Sequence, residues 1–76
     1  MNTDIIYRYY AVEFFHHVKE GTLIYKDWPL RCSQELTKEE AKHFIKNHQL
    51  KEQNGEITIH SIRLIEKEYF DKLMTI

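Results

Sequence analysis

From Ile5 to Val18 the chain carries β-branched and aromatic residues on both faces of a period-two pattern, "IIYRYYAVEFFHHV". Such residues suit a pleated surface, whereas a helix here would be apolar all round and too greasy for so short a chain to bury. The pattern predicts a first strand over residues 5–18. Lys19-Glu20-Gly21 matches a three-residue hairpin loop, a type I turn ending in a left-handed glycine. A second β-like run covers Thr22 to Trp28, and Pro29 is expected to close it because proline cannot donate to a ladder.

The polar stretch that follows contains Thr37-Lys38-Glu39-Glu40, a capping box in which the threonine hydroxyl accepts from the Glu40 amide while Glu40 reaches back. Beyond it Ala41, Phe44, Ile45 and His48 recur at helical spacing, predicting a helix to about Gln49 with one apolar stripe. Asn54-Gly55 reads as a turn, and Glu56 to Ile65 as a third strand. Ile57 and Ile59 fall out of phase with Ile62 and Leu64, so a bulge near Ser61 is expected to return both pairs to one face. A competing reading starts a helix at Ser61, since Ile62, Ile65, Tyr69 and Ile76 share a helical face. A short C-terminal helix or arm with Tyr69, Phe70 and Leu73 completes the chain.

The expected fold is a small single α+β domain spanning 1–76, a ββαβ arrangement with a three-stranded sheet packed by one helix. A helix-containing crossover makes the second and third strands parallel, which places the first between them in spatial order 2-1-3. That central strand directs Ile6, Tyr10, Val12, Phe14 and Val18 to the helix-covered core, and Ile5, Tyr7, Tyr9, Ala11, Glu13, Phe15 and His17 to the other face. One helix covers one face, so Tyr7, Tyr9 and Phe15 are expected on an open surface, with Tyr25 or Trp28 at its edge. Three arrangements stay open: the C-terminal arm folds back with Tyr69, Phe70, Leu73 and Met74, a second copy pairs through the face as a homodimer, or a different partner binds there.

Composition narrows the chemistry. The 42% hydrophobic and 30% charged residues are those of a folded globular chain rather than a disordered one. Eleven basic against twelve acidic side chains argue against a dedicated duplex-DNA binder, which needs a basic face. The single cysteine, Cys32, suits a reducing cytosol, no apolar run approaches a membrane span, and the N-terminus lacks a basic signal region. A cytoplasmic location is the expectation, with no membrane partner.

Candidate catalytic and metal chemistry is thin. His43 and His48 stand about 140° apart around a helix and cannot chelate one ion from it. His16 and His17 point to opposite faces of a strand, and His60 added to either does not complete a zinc site. Cys32 lacks a neighbouring base, and no glycine-rich phosphate loop occurs, so neither catalysis nor a cofactor is expected. Lys38, Lys42 and Lys46, with Gln49 beside them and Lys51 beyond, form a modest basic ridge for phosphates or an acidic protein surface. With an aromatic sheet face, that ridge supports a second expectation, a single-stranded nucleic-acid platform.

The helix "LTKEEAKHFIK" (Leu36 to Lys46) before the strand "EITIHSIRLIEKEYF" (Glu56 to Phe70) resembles the layout of small Lys/Glu-rich accessory proteins of phages and other mobile elements. Certain anti-CRISPR proteins are among them. The resemblance implies an inhibitor or modulator that docks stoichiometrically on a host protein such as a defence nuclease. Non-catalytic protein binding is therefore the leading expectation, with a small nucleic-acid-binding regulator as the alternative.

Overall fold

The computed structural model describes residues 6–49 and 55–75. Strand β1 (Arg8–Val18), strand β2 (Gly21–Cys32), helix α1 (Lys38–Phe44), strand β3 (Glu56–Ile65) and helix α2 (Lys67–Met74) follow in chain order. The sheet has the order β2-β1-β3, with β1 antiparallel to both neighbours. The α+β fold and the central position of β1 thus agree with the apolar pattern of that strand.

Local chemistry places α1. Thr37 is extended (φ −90°, ψ 163°), its Oγ1 accepts from the Glu40 amide at 3.1 Å, and the Thr37 amide donates to Glu40 Oε1 at 3.2 Å. This reciprocal cap satisfies two otherwise orphaned amides. After Phe44 the helix widens into a π-helical segment, Ile45–Gln49. Ala41 and Ile45 are fully buried against the sheet, while Phe44 stays 39% exposed, so the apolar stripe is narrower than its spacing suggests.

The core gathers Tyr10, Val12 and Phe14 of β1 with Leu30, Ala41, Ile45 and Ile57. Phe14 stacks on Tyr25 with ring centres 4.7 Å apart and meets Trp28 edge-on at 5.4 Å; Tyr25 and Trp28 are perpendicular at 5.2 Å. Such offset and edge contacts suit the aromatic quadrupole and add to area burial. The Tyr10 hydroxyl donates to the Gln34 carbonyl and accepts from the Leu36 amide, tying the β2–α1 connection to the central strand.

Two bulges meet one point of β1. On β2 the pairing steps from Val12↔Trp28 to Phe14↔Tyr25, leaving Lys26 and Asp27 opposite Glu13, with Asp27 at φ 55°. On β3 it steps from Glu13↔Ser61 to Phe14↔Ile59, leaving His60 as the extra residue. Each bulge shifts the two-residue phase, so Tyr25 and Trp28, like Ile59 and Ile62, turn to the same core side.

Several expectations need correction. Gly21 already pairs with Val18, so the hairpin loop is Lys19-Glu20 alone. Pro29 does not end β2; it pairs with Ala11 and the strand runs to Cys32, because β2 is an outer strand where a proline nitrogen can face away from the sheet. Ser61 lies inside β3, as the strand reading to Ile65 has it, and the competing helix from Ser61 does not form. Ile6 precedes β1 and is 80% exposed rather than core. His16, on the inward side of β1, is buried instead. Expectations for Ile5, Lys51, Asn54, Ile76 and the side chains of His48 and Gln49 lie outside the described residues.

Candidate functional site

The sheet face turned away from α1 is arranged in rows across the three strands. Arg31, Tyr9 and Ile65 form one row, Pro29, Ala11 and Arg63 the next; beyond the bulges come Ile24, Phe15 and Thr58, then Thr22, His17 and Glu56. At the Tyr9 end α2 packs on β1 and β2. Phe70 is buried there, its ring 4.8 Å from that of Tyr9. The Arg31 guanidinium stands 4.4 Å over the Tyr7 ring. Along α2, Lys67 bonds Asp71 at 3.0 Å, and that hydrogen bond raises the lysine pKa.

Beyond Ala11 the Arg63 side chain reaches across β1 to Asp27 at 3.0 Å. The small Ala11 leaves room for this crossing. α2 has eight residues and so a length of about 12 Å, against roughly 35 Å for the eleven-residue β1. The other end of the face therefore stays uncovered among the described residues. Phe15 is half-buried, its ring 5.5 Å from that of His60, and its cross-strand neighbour Ile24 is 59% exposed. His17 lies beside them with Nδ1 3.2 Å from Thr22 Oγ1 and Nε2 3.0 Å from Thr58 Oγ1, so hydroxyls on both flanking strands fix its ring.

The five aromatic residues expected on one surface divide among three places. Phe15 lies on the uncovered end. Tyr9 is half-buried under Phe70, and Tyr7 sits outside β1 against Arg31, so the arm does fold back, over one end only. Tyr25 and Trp28 belong to the α1 side, carried there by the Asp27 bulge, and fill the core around Phe14. Ile24 and His60 were missed as members of the open face. The signal for Ile24 was available: a phase change between Tyr25 and Trp28 marks a bulge, and the alternation before it puts Ile24 outward.

The lysine ridge is on the opposite side of the sheet. Lys38 on α1 and Lys46 in the π-helical segment are exposed, and Lys42 lies 3.6 Å from Glu56 at the start of β3. A concavity of about 530 Å³ opens between α1 and the end of β2, with Leu30, Cys32, Leu36 and Phe44 as its apolar wall. Among the described residues no three metal-ligating side chains converge. No described helix is long and apolar enough to cross a membrane. Comparison with family models, curated proteins and solved structures finds no match to this chain.

Proposed function

We propose that this chain is a non-catalytic protein-binding module whose contact surface is the uncovered end of the second sheet face. The observation that supports the reading is the Ile24–Phe15–Thr58 row with His60 beside it. A branched aliphatic side chain stands exposed next to a half-covered ring, on a face whose other end is already closed by α2. Contiguous apolar surface rimmed by polar groups is the usual form of an interaction site. In the mobile-element setting that the resemblance implies, the partner is a host protein such as a defence nuclease, held stoichiometrically rather than turned over.

The test is capture of partners from host lysate by the tagged chain, with and without nuclease, alongside Ile24→Glu. A stoichiometric protein that survives nuclease and is lost with Ile24→Glu supports the reading. A charge placed at a buried apolar anchor should cost about 2 kcal/mol or more, over tenfold in Kd. Circular dichroism should be unchanged, because Ile24 is exposed in the free chain. Partners that vanish with nuclease and weaken steeply with salt would instead move function to the alternative, nucleic-acid binding through Lys38, Lys42 and Lys46.

A further inference from the structure

The two outer strands of the sheet are unlike each other. β2 is blunted by Pro29 and by Asp27 in a left-handed conformation. β3 carries the bulge at His60 but no proline and no positive-φ residue, and among the described residues nothing pairs with its outer side. Unpaired amides and carbonyls along such an edge are a template for another strand.

The sequence of that edge fits itself. Residues 56–63 read Glu-Ile-Thr-Ile-His-Ser-Ile-Arg. Laid antiparallel on a second copy with Glu56 opposite Arg63, Ile57 falls opposite Ile62 and Thr58 opposite Ser61. Ile59 and His60 of the two copies then surround the dyad. Opposite charges, branched aliphatics and hydroxyls are each favourable cross-strand pairs.

In a regular strand this register could not form. A dyad perpendicular to a sheet preserves its faces, so opposed residues must point the same way, and residues an odd number apart do not. The bulge at His60 removes that obstacle for the pairs flanking the dyad, while at its centre Ile59 faces the core and His60 the Phe15 side. Ile57, Ile59 and Ile62 all turn to the core side, while Glu56, Thr58, Ser61 and Arg63 oppose His17, Phe15, Glu13 and Ala11 on the other. The phase shift thus matches the faces of Glu56 with Arg63, Ile57 with Ile62 and Thr58 with Ser61, and leaves the two bulged centres facing each other at the dyad. Glu56 and Arg63 touch Lys42 and Asp27 in the single chain with side chains 72% and 61% exposed, so Arg63 must turn from Asp27 toward the edge to meet Glu56 of a second copy.

We infer that two copies of this chain join edge to edge through β3, in the register Glu56 opposite Arg63, to form one six-stranded antiparallel-centred sheet. The inference stands on β3 alone. It also has a consequence for the proposed contact surface: the dyad puts both second faces on one side, with the two Phe15–His60 patches flanking the axis.

Sedimentation velocity across a concentration series, with folding of each variant checked by circular dichroism, tests it. The native chain should dimerise, and Glu56→Arg or Arg63→Glu alone should weaken the dimer at least tenfold by opposing like charges. The combined E56R/R63E exchange should restore it. In a C32S background, T58C/S61C should give a disulfide-linked dimer, because directly opposed residues are about 4.5–5.5 Å apart at Cα, within disulfide range. T58C alone, whose nearest copy is displaced along the strand, should not. A chain that stays monomeric at every concentration overturns the inference. So does a dimer that ignores both single reversals, or one dissolved by Ile24→Glu, which would place the contact on the second face.

Discussion

At Gly55 a side chain has nowhere to go. The residue sits at φ 124°, and a Cβ there would collide with the His17 carbonyl oxygen and lie 3.1 Å from His16 Nε2. Gly21 is also in the positive-φ range, at 145°, but a Cβ there meets nothing. The two glycines therefore separate backbone strain from collision. Gly21→Ala should cost about 1 kcal/mol, and Gly55→Ala about 3 kcal/mol, since strain of this kind costs roughly 1–3 kcal/mol before any clash is relieved. Urea denaturation of both variants checks the order; equal losses would show that the β1 backbone yields freely at His17. A similar contrast holds for histidines. His16 and His17 are neighbours in sequence, yet one is buried beside Gly55 and the other is held by two threonines on the outer face.

At the scale of elements, α1 is specified locally and α2 by what it covers. Thr37→Ala removes the capping hydroxyl and should destabilise the chain by about 1 kcal/mol, read as a shift in the urea midpoint at constant slope. α2 has no side-chain cap at Glu66. It packs on β1 and β2, with Phe70 buried against Tyr9. Phe70→Ala should consequently release α2 before the rest of the chain unfolds. Amide exchange in residues 67–74 should accelerate while that of β1 is kept, unless α2 and the sheet form one cooperative unit. The strands show the same division. The bulge in β3 was legible because four apolar residues change phase within one short run, Ile57 and Ile59 against Ile62 and Leu64. The bulge in β2 was obscured by Pro29, which looks like a strand end when the position of the strand in the sheet is unknown.

For the whole molecule, the stability expected of 76 residues is about 4–11 kcal/mol, at roughly 0.05–0.15 kcal/mol per residue. Phe14 is the hub of a single core: fully buried, stacked on Tyr25, edge-on to Trp28, and placed where both bulges meet β1. Phe14→Ala should cost about 3–5 kcal/mol, a large share of that stability. Near-ultraviolet circular dichroism would report the loss of the ring cluster; retention of that signal would mean that Tyr25 and Trp28 can close the gap. Phe15, next in sequence, belongs to the surface, so Phe15→Ala separates the two faces by a single residue step.

The sequence by itself determined the order of elements, the cap at Thr37, the extent of β3 and the central place of β1. Each of these rests on nearest-neighbour chemistry or on periodicity within one segment, together with the handedness rule for crossovers. The faces of Tyr9, Tyr10, Phe14 and Phe15 followed from the alternation of β1, but those of Tyr25 and Trp28 were decided only in the tertiary structure. A bulge inverts the phase of everything beyond it, and the Asp27 bulge alone moves Trp28 to the side of Tyr25. The extent of the open face was likewise set by assembly: α2 is long enough to close the Tyr9 end and too short to reach Phe15. Side-chain identity specifies what a strand can bury, but the side it presents depends on the register with its neighbours, and that is a property of the packed sheet.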